Sequence, residues 1–439
     1  MLSNPNTSSL IRKLFSKNSL LKFIDVGRKT FSTTGSNPSP FDLFTPSEEH
    51  RALRETVRSF VEKEVEPQAT EYNRAEKLNE PLFKRLGELG LLGMTADEKH
   101  GGSAMDAVAV CIAHEELSAS DPAFCLSFLA HSLLFVNNLN LNGSEEQKAR
   151  YLPAACTGTL LGAMGMSEPG AGTDVLGMAT RAELDKDGKT YTLNGSKMWI
   201  TNGAKNETDL GDAFLVYART SGAQGSGTSG RYSLFLVDKG MQGFSLGSKI
   251  NDKLGMRASN TAQIHFDNVR IPASTHLVGH EGDAVKHMMR NLEIERLALA
   301  AMSLGIARRS IEVMSQYAQE RKAFGQSINR FGQIQRHIGE SYAEYAAGRA
   351  YVYSVARSMD LTKGGGRIDS DGVKRYCAPM ATAVAGRAVQ VLGGNGYIGA
   401  YNVERLWRDA KLLEIGGGTN ESHEKNITKD LVKSGSKLS

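Results

Sequence analysis

The strongest constraint on the fold is the order in which the spacing of apolar residues changes along the chain. Residues 42–160 and 281–439 show helical spacing, whereas the segment between them holds short apolar runs bounded by glycines, which predict strands. The helical residues include Leu53, Val57, Phe60, Val61 and Val65. The strand runs are Ala213–Ala218, Tyr232–Val237 and Thr261–Val269. This order predicts an α+β protein with an inserted antiparallel sandwich or barrel, and it argues against a βαβ nucleotide-binding fold.

Local signals predict where individual elements lie. Thr45-Pro46-Ser47-Glu48 reads as a helix start, with a cap residue, a proline in the first turn and an acid after it. Phe124–Val136 predicts a buried helix, and Gly282–Gln319 and Phe331–Met359 predict long ones. Tyr191–Trp199 alternates around Asn194-Gly195, which predicts a hairpin turn. The Gly/Ser-rich stretch 221–230 predicts a loop.

The amino-terminal segment differs in charge from the rest of the chain. Residues 1–31 hold six basic residues and one acidic residue, and leucines and serines fill the gaps. This composition is typical of a mitochondrial transit peptide, with residues 32–40 as a processing linker, and predicts the mitochondrial matrix; a flexible basic tail is the alternative. The remaining chain has 46 basic and 47 acidic residues. A nucleic-acid partner is therefore not expected, and Ser436-Lys437-Leu438 is followed by Ser439, so it is not a peroxisomal address.

Composition and spacing weaken several other readings. The four cysteines form no CxxC pair, which argues against a disulfide framework or zinc cage. No membrane span is expected. Gly394–Gly399 fits GxGxxG, but a helical pattern precedes it where a dinucleotide fold needs a strand. His276 and His280 are expected to be loop histidines without a metal, and Ser167 lacks the closing glycine of a nucleophile elbow.

Glu295 is an acid on a helix that is apolar on most sides. Its helical neighbours are Leu292, Leu299 and Met302. Burial would raise the pKa of its carboxyl, as a general base for a weak carbon acid requires. The residue pattern alone favours the alternative, a structural acid paired with a lysine or arginine.

Six motifs occur in one order along most of the chain. They are Met166–Asp174 (MSEPGAGTD), Asn194–Thr201 (NGSKMWIT), Lys253–Ser259 (KLGMRAS), Arg321–Gly325 (RKAFG), Gln390–Gly396 (QVLGGNG) and Arg408–Lys411 (RDAK). From Phe41 to about Val432 the sequence resembles the acyl-CoA dehydrogenase family. The resemblance implies an N-terminal helical domain at 41–160, a middle β domain at 161–280 and a C-terminal four-helix bundle at 281–439. It also implies bound FAD, a homotetramer and electron-transfer flavoprotein as the electron acceptor.

The resemblance also implies the chemistry. A base removes the α-proton of an acyl-CoA thioester, and the β-hydrogen leaves as a hydride to the flavin. Many members carry the base in a motif ending Glu-Gly-Thr, where this chain has Gly417-Gly418-Thr419. Members that act on isovaleryl-CoA or on long-chain acyl-CoA supply it from a helical Glu-Arg-Leu, which matches Glu295-Arg296-Leu297. Glu295 is therefore the expected base, with Glu293 and Glu414 as weaker candidates.

Further roles follow from the matched motifs. The substrate is expected to meet Thr173, Glu293, Arg296, Gly417 and Gly418. The cofactor is expected to meet Met164, Met166, Ser167, Gly172, Thr173, Trp199, Ile200, Thr201, Arg321, Gln390, Gly393, Gly394, Thr419 and Glu421. The resemblance favours isovaleryl-CoA as substrate, although Gly418-Thr-Asn-Glu421 looks more like the long-chain members.

Three departures from the family pattern keep other interpretations open. Gly332 separates Phe331 from Gln333, the final helix is polar at Ser422–Asn426, and the loop Ala204–Asp212 is long, with no function that we can give it. The first two touch the expected cofactor or dimer surface. The alternatives are another branched or long-chain substrate, an acyl-CoA oxidase, or a non-catalytic scaffold of the same fold.

Overall fold

The computed structural model describes residues 42–186, 188–221, 230–363 and 366–433. The predicted transit peptide, most of the predicted 221–230 loop and Ser436–Leu438 lie outside the described residues.

The first part of the chain is helical, as predicted. Its elements are α1 (Glu48–Phe60), a π-helical turn (Val61–Val65), α2 (Glu66–Ala75), α3 (Glu80–Glu88), a 3-10 turn (Glu98–His100), α4 (Ala107–Ser118), α5 (Pro122–Leu129), a π-helical segment (Ala130–Asn137), α6 (Asn138–Asn142) and α7 (Glu145–Thr157). The predicted cap of α1 is wrong by two residues. Ser47 caps the helix by accepting a hydrogen bond from the His50 N–H at 3.4 Å, whereas the Thr45 hydroxyl bonds the Asp42 carboxylate. Because the Thr45 hydroxyl is already bonded to Asp42, it is not available to cap the helix.

The predicted helix at Phe124–Val136 is confirmed and lies in the core. It belongs to the continuous helical stretch Pro122–Asn142, which by length and composition alone could cross a membrane. In the fold, 83% of its most apolar window is buried. Its apolar surface is therefore used to pack this region against the rest of the protein.

In the residues that the structure describes, the middle part forms a sheet of eight strands. They are β1 (Gly162–Gly165), β2 (Arg181–Leu184), β3 (Thr190–Thr201), β4 (Ala213–Ser221), β5 (Arg231–Asp238), β6 (Phe244–Lys249), β7 (Thr261–Pro272) and β8 (Leu277–Val278). The order across the sheet is β6-β7-β3-β2-β4-β5-β8, with β1 paired to β4. Most pairings are antiparallel, as predicted, but β4 pairs in parallel with β1 and at one position with β2. A 3-10 turn (Val175–Gly177) precedes β2, and α8 (Ala273–His276) precedes β8.

The predicted hairpin at Asn194-Gly195 is wrong, because β3 runs straight through it. The pairing of β3 with β7 shifts register between Leu193 and Gly195, which makes this position a bulge. Gly195 has a φ of 140°, and a Cβ there would lie 2.6 Å from the Thr180 Oγ1. Gly195 thus permits a close approach of two strands. An Asn-Gly pair can therefore mark a bulge inside a strand as well as a hairpin turn.

The last part is a helical bundle. It contains α9 (Ala284–Glu320), a small hairpin of β9 (Lys322–Ala323) and β10 (Gln326–Ser327), a 3-10 turn (Ile328–Arg330), α10 (Gly332–Ser358), α11 (Arg367–Leu392), α12 (Gly394–Tyr397), α13 (Val403–Leu413) and α14 (Asn420–Lys433). The predicted long helices are confirmed as α9 and α10. The GxGxxG match follows the helix α11, which rules out a strand before it.

A buried charge cluster ties the two helical parts together. Glu115 and Glu116 are adjacent on α4 and are 0% and 1% exposed. Arg54 of α1 bonds both carboxylates, at 3.0 and 2.5 Å. Arg308 of α9 bonds Glu116 at 2.8 Å, and Arg349 of α10 lies 3.1 Å from Glu115. Burial raises the pKa of Glu116, but Arg308, Arg58 and Arg54 outweigh it and lower that pKa to about 2.

We expect Glu115→Gln to lower the free energy of unfolding by about 3–5 kcal/mol, because Arg54 and Arg349 would lose a buried countercharge. Urea denaturation followed by circular dichroism measures the change. Glu48→Gln is the matched control, because its ion pair with Arg51 is exposed and should contribute little. A Glu115→Gln protein that unfolds at the wild-type urea concentration would contradict this account.

Candidate active site

Glu295 lies within the buried length of α9 and is 8% exposed. Burial raises the pKa of its carboxyl to about 7, while the nearby charges of Arg296 and Lys374 lower it. Its Oε2 has no hydrogen-bond partner among the residues that the structure describes. A buried carboxylate with an open oxygen and a pKa near neutrality is suited to accept a proton.

The turn between α13 and α14 brings Gly417 beside this carboxylate. A Cβ built at Gly417 would lie 3.6 Å from the Glu295 Oε1 and only 2.3 Å from the Leu299 Cδ1. Gly417 and Gly418 have φ values of 66° and 104°, which favour glycine. The two positions at which the resemblance implies a base therefore lie next to each other, and Glu295 is the one that carries a carboxylate in this chain.

The two weaker base candidates lie in different surroundings. Glu414 precedes the turn; it accepts a hydrogen bond from the Asn420 Nδ2 at 3.1 Å and lies 3.3 Å from the Lys411 Nζ. Glu293 is half-buried and lies two residues before Glu295 on α9, so it faces another side of the helix. Both assignments stay predictions.

Behind the turn lies a buried polar cluster that the sequence did not predict. Lys374 of α11 donates to the Gly418 carbonyl oxygen at 2.7 Å, and the His423 Nε2 lies 3.0 Å from the same oxygen. The His423 Nδ1 is 2.6 Å from the Asp371 Oδ1, which also pairs with Arg296 at 3.0 Å. Lys374, Asp371 and His423 are each 0% exposed. One sequence signal could have indicated this cluster: Lys374 lies at helical spacing from Cys377 and Ala378, on a stripe of α11 made of small or apolar residues.

The sheet presents a second group of predicted site residues at one edge. Met166 and Ser167 follow β1, and the Met198 N–H of β3 donates to the Ser167 carbonyl at 2.9 Å. A register shift between Lys197 and Ile200, with a φ of 65° at Trp199, leaves the Trp199 side chain 58% exposed. Met164 lies on β1, and Ile200 and Thr201 lie on β3; Ile200 is buried, and Met164, Ser167 and Thr201 are half-buried.

A buried ion pair fixes this edge. The Lys197 Nζ donates to the Glu168 Oε1 at 2.8 Å and to the Met166 carbonyl at 3.0 Å. Glu168 also accepts from the backbone N–H groups of Ala179 and Thr180. Burial lowers the pKa of Lys197 to about 8, and the Glu168 charge raises it. Sequence reasoning placed both residues in motifs but gave them no role.

A third group surrounds a cavity of about 360 Å³ at the end of α11. Tyr317, Arg321, Ile328 and residues 391–395 line it. Cβ atoms built at Gly393 and Gly394 would meet nothing within 4 Å, so backbone faces open space there. Gln390 is exposed one residue before this wall, and its carbonyl accepts from the Gly393 N–H.

The remaining predicted residues lie on exposed or half-exposed backbone. Gly172 and Thr173 are exposed in the loop after β1, and a Cβ at Gly172 would meet nothing within 4 Å. Thr419 is half-buried next to the glycine turn, and Glu421 is exposed in the first turn of α14. Their contacts with substrate or cofactor stay predictions.

Comparison with known proteins identifies the family. Models of the acyl-CoA dehydrogenase N-terminal, middle and C-terminal domains match residues 47–159, 163–269 and 283–432. The mitochondrial isovaleryl-CoA dehydrogenase of Pongo abelii is 42% identical over 377 residues, covering 85% of this chain and 86% of that protein. The corresponding protein of Arabidopsis thaliana is 39% identical over 426 residues, covering 96% and 100%.

Solved structures agree with these matches. Butyryl-CoA dehydrogenase from Megasphaera elsdenii has a TM-score of 0.80 at 32% identity, covering 92% of this chain and 100% of that one. Glutaryl-CoA dehydrogenase from Mycobacterium smegmatis in complex with FADH2 has a TM-score of 0.81 at 30% identity, covering 88% and 95%. The chain belongs to the acyl-CoA dehydrogenase family and is an enzyme of that class. Within the family its sequence is similar to the isovaleryl-CoA dehydrogenases.

Family membership implies a flavin cofactor, and the residues present fit one. The exposed Trp199 ring, beside Ser167 and Thr201, offers a face and hydroxyls to a flat polar ring system. The open backbone at Gly393 and Gly394, with Arg321 on the same cavity, offers N–H groups and a guanidinium to phosphates.

We expect Gly417→Ala to lower kcat/KM for the acyl-CoA substrate at least about tenfold, because the new Cβ would displace Leu299 and strain the turn. Steady-state kinetics measures the change. Gly188→Ala is a control for strain alone, because Gly188 has a φ of 68° but a Cβ there would meet nothing within 4 Å. Wild-type kinetics in Gly417→Ala would contradict the crowding described here.

Proposed function

We propose that this protein is an FAD-dependent dehydrogenase that converts a short branched acyl-CoA, first of all isovaleryl-CoA, to its α,β-unsaturated product. The observation that carries the proposal is the open carboxylate of Glu295 beside the side-chain-free Gly417. The identities to isovaleryl-CoA dehydrogenases support the substrate, and their mitochondrial names, with the basic leader, support the mitochondrial matrix. Electron-transfer flavoprotein as acceptor and a homotetramer complete the proposal.

In this proposal, different groups of the chain remove the proton, stabilise the developing charge and bind the cofactor. Glu295 accepts the α-proton at its open oxygen, and the Gly417 N–H binds the thioester oxygen, where negative charge develops as the proton leaves. The bound flavin supplies the acceptor for the hydride from the β-carbon. Trp199, Ser167 and Thr201 would hold the ring, Gly393 and Gly394 would meet the cofactor through their open backbone, and Arg321 would reach the pyrophosphate of a neighbouring subunit's cofactor. The buried setting of Glu295 excludes water and raises the pKa of the base.

The base is tested by anaerobic mixing of holoenzyme with isovaleryl-CoA. In Glu295→Gln we expect the rate of flavin bleaching to fall at least about 100-fold while flavin content is unchanged, because the amide cannot accept the proton. In the wild type the rate should rise with pH through about 7, as the carboxyl ionises.

Glu312→Gln is the matched control, since it makes the same change at an exposed position of α9. Normal bleaching in Glu295→Gln would overturn the base assignment, and its loss in Glu414→Gln or Glu293→Gln would move the base there. A colourless protein that FAD cannot reconstitute would favour the scaffold alternative. Rapid reoxidation by oxygen without electron-transfer flavoprotein would indicate an oxidase.

The substrate is tested by kcat/KM across straight and branched acyl-CoA thioesters. We expect isovaleryl-CoA to exceed butyryl-CoA and acyl groups of twelve or more carbons by about tenfold or more, because one methylene contributes about 1–3 kcal/mol to discrimination. A higher kcat/KM for a 2-methylacyl-CoA or a long-chain acyl-CoA would replace isovaleryl-CoA as the substrate and leave the reaction class standing.

A further inference from the structure

The buried cluster behind the glycine turn consists of Lys374, Asp371 and His423, and we call it the Lys374 cluster. Two of its members converge on a single backbone oxygen, that of Gly418, at 2.7 and 3.0 Å. Lys374 and Asp371 come from α11, and His423 comes from α14. The turn is therefore held from two helices at the residue after the expected thioester-binding glycine.

His423 has an acceptor at each ring nitrogen. Its Nδ1 faces the Asp371 carboxylate at 2.6 Å, and its Nε2 faces the Gly418 carbonyl at 3.0 Å. A carboxylate and a carbonyl oxygen only accept, so both contacts are attractive only when both ring nitrogens carry protons. The Cε1 of the same ring would lie 2.9 Å from a Cβ at Gly418, so the ring also packs directly on the turn.

Lys374 has too few partners to be explained as a structural residue. It is 0% exposed, and among the residues that the structure describes its hydrogen-bond acceptor is a neutral carbonyl. Such a bond does not offset the cost of burying an ammonium group. Burial lowers the pKa of Lys374 to about 7, and the charge of Glu295 is the first of the charges that raise it. The lysine and the base therefore stabilise each other's charged forms.

The charged and titratable groups around Glu295 come from four elements. Arg296 follows it on α9, Lys374 approaches from α11, and both lower its pKa. Tyr217 of β4 has its own pKa raised by burial and by the Glu295 charge. Glu414 from the end of α13 acts on Lys374, and Asp371 pairs with Arg296. Arg296 is held by Asp371, whereas Lys374 also bonds the Gly418 carbonyl oxygen, so Lys374 is the cation that links the turn to Glu295.

We propose that Lys374, supported by Asp371 and His423, is a positioning residue for the dehydrogenation: it fixes the Gly417–Gly418 turn beside Glu295 and supplies, in addition to Arg296, a positive charge that favours the ionised base. This inference rests on the proposed role of Glu295. It predicts two separable effects, one on the turn through the hydrogen bond and one on the base through the charge.

The test uses flavin-loaded enzyme and anaerobic stopped-flow reduction by isovaleryl-CoA from pH 6 to 9. In Lys374→Met the acid limb of the pH–rate profile for flavin reduction should shift to higher pH by about 1 unit. Reduction at pH 6.5 should therefore slow about tenfold, and the rate should recover at pH 9. Its KM should also rise. Lys374→Gln keeps a donor for Gly418 but no charge, so the limb should move while KM stays near the wild-type value. Lys374→Arg keeps the charge and should restore the limb.

Lys429→Met is the matched control, because it makes the same change at an exposed position of α14. A wild-type acid limb in both Lys374→Met and Lys374→Gln would overturn the proposal. So would failure of all three Lys374 variants to bind flavin, because a purely structural residue would behave in that way. If Glu295→Gln reduces its flavin normally, the proposed base is wrong. If Glu295→Gln is inactive and Lys374→Met is unchanged, this inference alone fails.

Discussion

The buried pairing of Glu115 and Glu116 with arginines from three helices is the constraint on which the rest of the structure depends. Two adjacent carboxylates in the interior are unfavourable unless cations reach them, and here the cations come from α1, α9 and α10. The cluster therefore fixes α9 relative to the amino-terminal helices. Arg308 lies thirteen residues after Glu295 on the same helix, about 20 Å along its axis. The helix is fixed at Arg308 and presents Glu295, the proposed base, closer to its amino-terminal end.

The sequence predicted those features that depend on local pattern or on contiguous motifs. Apolar spacing placed α9 and α10 to within two residues of their ends, because each helix buries a long stripe. Glu295 could be singled out because a carboxylate on such a stripe is unusual. The residue pattern alone still favoured a structural acid, since whether the carboxylate has a partner depends on residues that are distant in sequence, here Lys374 and Gly417.

The failures have the same physical origin. Asn194-Gly195 has the composition of a turn, but the approach of Thr180 decides that it is a bulge, and no short-range rule contains that contact. The polar final helix looked like a departure that could weaken cofactor binding. In the structure His423 points inward to Asp371, while Glu424 pairs with Arg375 at the surface. The polarity of this segment matches a polar partner on α11, which lies about fifty residues earlier.

The crowding between Gly417 and Leu299 has a consequence for how such enzymes diverge. A chain with the proposed base on α9 could place a second carboxylate on the turn only if Leu299 moved, because the Cβ of any side chain at Gly417 would lie 2.3 Å from the Leu299 Cδ1. The neighbour must shrink or move first, and the φ of 66° at Gly417 adds backbone strain to any replacement. A change of the proposed base from one position to the other would thus couple two sites, because the wall of the pocket at Leu299 must adjust together with the new carboxylate.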